Sequence, residues 1–161
     1  MEQKGELVSF RPDIKVVDCT LRDGGLVNNF EFSEDFVRDL YKANVAAGVD
    51  YMEFGYKADK DIFDEKEFPH IEYLADGPAV YNFKSYKTLS GDNDTDLKIS
   101  VMADVGRTDY KKDIIPKSES VIDMVRVATY INTIPAAIEM MNYCADMGYE
   151  VTINIMAIST A

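Results

Sequence analysis

The chain has 161 residues, 47% of them apolar and 29% charged, enough apolar material for one buried core. With 17 basic against 29 acidic side chains the formal charge is −12, and so acidic a surface repels phosphate backbones and anionic lipid, which argues against nucleic-acid and membrane partners. No run approaches the roughly 18 apolar residues of a membrane-spanning helix, and the opening Met1-Glu2-Gln3-Lys4-Gly5-Glu6 has no apolar signal, so the expected location is the cytoplasm.

The first apolar run, Ile14-Lys15-Val16-Val17-Asp18-Cys19, reads as a buried strand. It leads into Thr20-Leu21-Arg22-Asp23-Gly24-Gly25, where the double glycine predicts a sharp turn. Ser33 offers an N-cap to a helix with Phe36, Leu40, Ala43 and Ala47 along one face, closed by Gly48. A second strand follows at Val49-Asp50-Tyr51-Met52-Glu53-Phe54-Gly55, completing a strand–helix–strand unit. Residues 56–96 are irregular, with Pro69, Pro78 and a polar cluster at Ser90-Gly91-Asp92-Asn93-Asp94, and are expected to be loops with short helical turns.

Lys98 to Asp104 predicts a third strand and Val121 to Ala128 a fourth. Pro135 suits the first turn of a helix with Ile134, Ile138, Met141 and Ala145 on one face, ended by Gly148. Val151 to Ile158 predicts a fifth strand. These strands are continuous apolar runs, the pattern of a parallel sheet covered on both faces. The expected fold is α/β, and no linker divides residues 1–161. Cys19 and Cys144 lack a metal-binding spacing and are expected to be buried, reduced thiols. The methionines Met140, Met141 and Met156 are expected in the core.

Two readings compete for Arg22-Asp23. One is a charged surface pair of little energetic weight. The other places a guanidinium and a carboxylate at the C-terminal end of a parallel strand, where α/β active sites collect. There Asp supplies a hard oxygen ligand and Arg a fixed positive fork for a developing oxyanion.

The stretch Val17-Asp18-Cys19-Thr20-Leu21-Arg22-Asp23-Gly24-Gly25 resembles the first-strand signature of the DRE-TIM metallolyases. That superfamily includes 3-hydroxy-3-methylglutaryl-CoA lyase, isopropylmalate and homocitrate synthases, and 4-hydroxy-2-oxovalerate aldolase. Ala47-Gly48-Val49-Asp50-Tyr51-Met52-Glu53-Phe54-Gly55 is similar to its second-strand motif, and Val125-Arg126-Val127-Ala128-Thr129 with Gly148-Tyr149-Glu150-Val151 is a weaker match. The resemblance implies a partial (β/α)8 TIM barrel of about five parallel strands with covering helices, the N-terminal portion of an aldolase-type domain. It implies Asp23 as a metal ligand, Arg22 as the group that stabilises an enolate oxygen, and Glu53 as the residue that orders them. The implied reaction makes or breaks a carbon–carbon bond beside the carbonyl of a 2-oxo acid, assisted by a divalent ion (Mn²⁺, Mg²⁺ or Zn²⁺) in the complete protein. Asp104 and Arg126, at or near strand ends, and Asn154, inside the fifth strand, are candidate substrate contacts; the competing reading is a buried structural ion pair for Asp104 and Arg126 and a backbone partner for Asn154.

The sequence also departs from the pattern. The family completes its metal site with a His-x-His pair on strand seven, whereas His70 is the chain's only histidine and matches nothing. The hydroxy-oxo-acid aldolases carry a base three positions after the metal-binding Asp, where this chain has Leu26, and the synthases' Glu-Gln is here Gly25-Leu26. A full barrel takes about 250 residues, so an N-terminal fragment is expected, unable to complete the metal site alone. Its open sheet edges predict a homo-oligomer. The alternative function is a catalytically inactive barrel domain that binds a carbonyl metabolite or a partner protein.

Overall fold

The computed structural model describes residues 13–28, 30–57 and 95–160. The expected loops and turns between 58 and 94, with Pro69, His70, Pro78 and the Ser90–Asp94 cluster, lie outside them. Five strands form one parallel sheet in sequence order: β1 (Val17–Asp18), β2 (Tyr51–Tyr56), β3 (Lys98–Asp104), β4 (Met124–Thr129) and β5 (Glu150–Ile155). The described helices are α1 (Arg22–Asn28), α2 (Glu34–Ala47), the short α3 (Tyr110–Asp113) and α4 (Ile134–Asp146). Consecutive parallel pairing with helical crossovers is the architecture of a partial TIM barrel.

Side chains alternate across the sheet. Met52, Phe54, Ile99, Val101, Ala103, Val125 and Val127 join the apolar core, which also takes in Val37 of α2 and Ala137, Met140 and Cys144 of α4. The intervening positions, Glu53, Ser100, Met102, Asp104 and Arg126, face the other way, toward the inside of the curl. In β2 the register shifts between Glu53 and Tyr56. Such an irregularity re-aims the side chains beyond it. Tyr56 thereby shares a face with Glu53, three residues earlier, and Lys57 turns into the outer layer toward Asp113.

Several expectations need correction. The β1 ladder is shorter than the predicted run 14–19, with Ile14 and Val16 exposed. The double glycine makes no sharp turn: Gly24 and Gly25 lie inside α1. Gly25 is required there by packing, since a Cβ would sit 2.2 Å from Cδ1 of the Phe30 ring. On α2 the Ser33 and Gly48 caps form as predicted, Ser33 Oγ accepting from Phe36 N–H and Gly48 at φ 70°. The face is wrong by one position: Val37 and Asn44 are buried, with Leu40 and Tyr41 packed beside them. Phe36 instead stacks on Phe32 at the helix entrance, ring centroids 5.4 Å apart. On α4 the buried residues are Ala137, Met140 and Cys144, with Met141 partly buried and Ile138 exposed. Small side chains let this helix approach the sheet closely, which a search for bulky residues does not detect. Strand β5 ends at Ile155, and Ala157 beyond it has φ 52°, outside strand geometry.

Candidate functional site

Strand β1 ends at Asp18, whose carboxylate accepts from Thr20 N–H and Thr20 Oγ1–H and so shapes the turn into α1. Asp23 N–H donates to Cys19 O at 2.8 Å, starting the helix directly after the strand. Arg22 and Asp23 are therefore held in the first turn at the C-terminal rim.

The guanidinium of Arg22 reaches inward. Its Nε donates to Glu53 Oε2 at 2.8 Å and its Nη1 to Asp23 Oδ1 at 2.7 Å. Arg126 Nη1 donates to the same Glu53 Oε2 at 2.7 Å. Glu53 is 0% exposed. One buried carboxylate oxygen thus joins the start of α1, β2 and β4. A buried ion of this kind is tolerated only when fixed charges compensate its lost hydration. Burial works against the charge on Arg22, but the attraction and hydrogen bond of Glu53, with help from Tyr56, outweigh it and hold the guanidinium further into its charged form. The Arg22 Cζ also lies 5.9 Å from the centroid of the Tyr56 ring, which Phe30 meets edge-on at 6.3 Å. Phe30 has φ 60°, uncommon for a residue with a side chain.

The structure brings Arg22, Glu53, Asp23 and Arg126 into one hydrogen-bonded group. Asp23 is its outermost member, 66% exposed at the side chain. Asp104 stands at the end of β3 on the same face, and among the described residues its buried Oδ1 has no hydrogen-bond partner. Its rung runs through Ala128 to Asn154 on β5, which is half-buried two strands away. Arg126 makes an ion pair with Glu53, as its alternative reading expected, while remaining on the inner face.

Tyr56, Phe30 and Cys19, none of them a site residue expected from the sequence, join the group. Cys144 is buried in the core as expected, but Cys19 is half-buried with its Sγ 3.4 Å from Arg126 Nη1. Burial first, then the Glu53 charge, pushes its thiol above the ordinary range. Strand alternation pointed to Cys19, which shares with Glu53 and Arg126 the inward phase of the sheet.

A divalent ion needs several hard oxygen or nitrogen ligands. Among the described residues no three His, Cys, Asp or Glu side chains form a group that could hold one. Glu53 Oε2 is committed to two guanidinium groups and Asp23 Oδ1 to one. The described residues therefore do not fit a complete metal site.

Fold and rim chemistry together define an aldolase-like partial barrel, and comparison with known proteins agrees. No family model matches the chain. It is 25% identical over 147 residues to 4-hydroxy-2-oxovalerate aldolase 6 of Rhodococcus jostii (strain RHA1), an alignment covering 87% of this chain and 37% of that protein. Among solved structures it is similar to the N-terminal domain of a candidate aldolase from Bacteroides vulgatus, with 25% identity and a TM-score of 0.59, over 91% of this chain and 46% of that one. The chain thus spans less than half the length of either. The resemblance to DRE-TIM metallolyases holds at the level of the superfamily and of a partial barrel. Among the described residues no helix is long and apolar enough to cross a membrane.

Proposed function

We propose that this chain supplies part of the active site of an aldolase-type lyase, which makes or breaks a carbon–carbon bond beside the carbonyl of a 2-oxo acid. The observation that carries this reading is the position of Arg22, fixed at the rim through Nε by a carboxylate that also holds Arg126. Two guanidinium groups share one buried carboxylate, and the opposing charge of exposed Asp23 is weakened by water. The group is therefore suited to an anion such as an enolate, and fixed donors aimed at developing charge need no reorganisation during reaction.

In this reading Arg22 stabilises the enolate oxygen, and Glu53 is a positioning residue that sets the orientation of both arginines. Arg126, Asp104 and Asn154 line the substrate. A divalent ion (Mn²⁺, Mg²⁺ or Zn²⁺) in the complete protein would take Asp23 as one ligand and draw the others from outside the described residues. Exposed apolar side chains near both margins of the sheet, Ile14 and Val16 before and within the approach to β1 and Ile153 and Ile158 at β5, support association into a homo-oligomer.

The test is release of pyruvate from 4-hydroxy-2-oxovalerate by the full-length protein supplied with Mn²⁺. Arg22→Met is expected to lower kcat by about 10²–10³-fold, the usual cost of removing one oxyanion donor. A folded protein that releases no pyruvate from short 4-hydroxy-2-oxo acids with any of the three ions would refute the reading. In that case the binding-domain alternative gains, favoured by Leu26 at the position of the expected base, where its side chain is 58% exposed and carries no proton-transferring group.

A further inference from the structure

Among the described residues, three polar atoms on the inner side of the sheet are buried and lack a hydrogen-bond partner: Glu53 Oε1, Ser100 Oγ and Asp104 Oδ1. Glu53 stands opposite Ser100 in the β2–β3 register, and Asp104 follows Ser100 along the same face of β3. Leaving a buried oxygen without a partner costs about 1–3 kcal/mol, so native proteins rarely do so without a reason. All three lie on one face of β2 and β3: Ser100 is opposite Glu53, and Asp104 is about 13 Å further along β3, toward the rim. Of the three, the carboxylate oxygens Glu53 Oε1 and Asp104 Oδ1 are acceptors that lack a donor among the described residues.

Asp104 is the one of the three at the C-terminal end of its strand, level with the rim. The charged and titratable groups that act on it are Arg107 from the turn after β3, Arg22 from α1, and Glu53 and Tyr56 from β2. Arg126 on β4, on the same inner face, is bonded to Glu53. Burial pushes the Asp104 carboxyl above the ordinary carboxylate range; Arg107 and Arg22 pull it back, and Glu53 adds to the rise. A carboxyl in such a setting exchanges its proton closer to neutral pH than a free aspartate does. The helix position where the resemblance calls for a base holds Leu26, and the chain's single histidine, His70, lies outside the described residues.

We propose that Asp104 is the catalytic group that exchanges the proton of the substrate hydroxyl, an inference that rests on the aldolase reading. In cleavage of a 4-hydroxy-2-oxo acid its carboxylate takes the C4 hydroxyl proton. The O–H electron pair forms the new carbonyl, the C3–C4 bond breaks, and its pair passes into the enolate whose oxygen lies on Arg22. The protonated Asp104 then returns the proton to C3. Aldehyde and 2-oxo acid leave, and no further reactant is consumed.

The test compares wild type, Asp104→Asn and Asp104→Glu in the full-length protein with 4-hydroxy-2-oxovalerate and Mn²⁺. Asp104→Asn is expected to lose at least about 100-fold in kcat, the lower range for general acid–base catalysis, with KM within about threefold of wild type. Wild-type kcat/KM should fall as the pH drops through the raised carboxyl pKa, because cleavage needs the ionised form; the asparagine variant should lack that limb and the glutamate variant regain it in part. Oxalate, a stable mimic of the enolate, should bind wild type and Asp104→Asn equally well, showing that the variant folds. If Asp104→Asn keeps kcat within about threefold, or loses oxalate binding along with activity, the assignment is overturned. If wild type itself cleaves nothing, the aldolase reading falls and takes this role with it, so the two failures are read on different proteins.

Discussion

The two faces of the central strands obey different rules. Outward, Met52, Phe54, Ile99, Val101, Val125 and Val127 pack on helices, and any apolar side chain of the right volume would serve. Inward, within the same strands, sit Glu53, Ser100, Asp104 and Arg126, a buried carboxylate, a hydroxyl, a second carboxylate and a guanidinium. Folding alone does not call for that inner set, since well-packed apolar residues in place of a buried ion pair are often as stable or more so. The outer face answers to the hydrophobic effect and the inner one to chemistry.

Adjacent residues on β2 offer the sharpest way to separate these rules. Phe54→Ala on the outer face should cost about 3–5 kcal/mol of unfolding free energy through a cavity. Glu53→Ala on the inner face should cost a similar amount, about 3–5 kcal/mol, by leaving two guanidinium groups without their shared carboxylate. Denaturation with and without formate distinguishes them: the small anion should restore part of the loss in Glu53→Ala and none in Phe54→Ala. Equal responses to formate would mean that the ion group is not what holds the inner face.

Lys57 gives an intermediate effect, because it carries a charge into the outer layer. Burial lowers its pKa to about 8, against the attraction of Asp113. Between that value and its unfolded one the unfolded chain binds more protons than the folded one. Stability should therefore rise with pH through this window, by up to about 3 kcal/mol for a shift of this size. Lys57→Met should flatten that rise, as read by urea melts from pH 7.5 to 10.5. The smallest effect belongs to the join between the regions. Gly25→Ala forces a Cβ into the Phe30 ring and should cost about 1–3 kcal/mol, with a changed near-ultraviolet signal from the Phe30–Tyr56 contact.

The strands were largely legible in the sequence because each is a short run rich in apolar residues, β-branched in β3–β5 and aromatic in β2, and β3 runs from Lys98 to Asp104 as predicted. The caps of α2 were legible because Ser33 and Gly48 act locally. The helical faces were not: Phe36 is satisfied by Phe32, and Ala137 and Cys144 matter for their small size. Gly24-Gly25 read as a turn because glycine disfavours helix, and only the position of Phe30 explains why a helix carries it there. Arg22, Asp23 and Glu53 were recognisable through their motifs. The bond from Arg126 to Glu53 spans 73 residues and leaves no local trace, nor does the β2 register shift that brings Tyr56 beside Arg22.

The shared oxygen of Glu53 ties α1 to β2 and β4 but makes no bond to β3, which runs between the latter two. The two guanidinium groups are thus fastened across β3 rather than to it, as a bracket spans what lies beneath it. Substitutions at positions 100 and 104 should therefore leave the Arg22–Glu53–Arg126 bonds in place, whatever they do to the rest of the inner face.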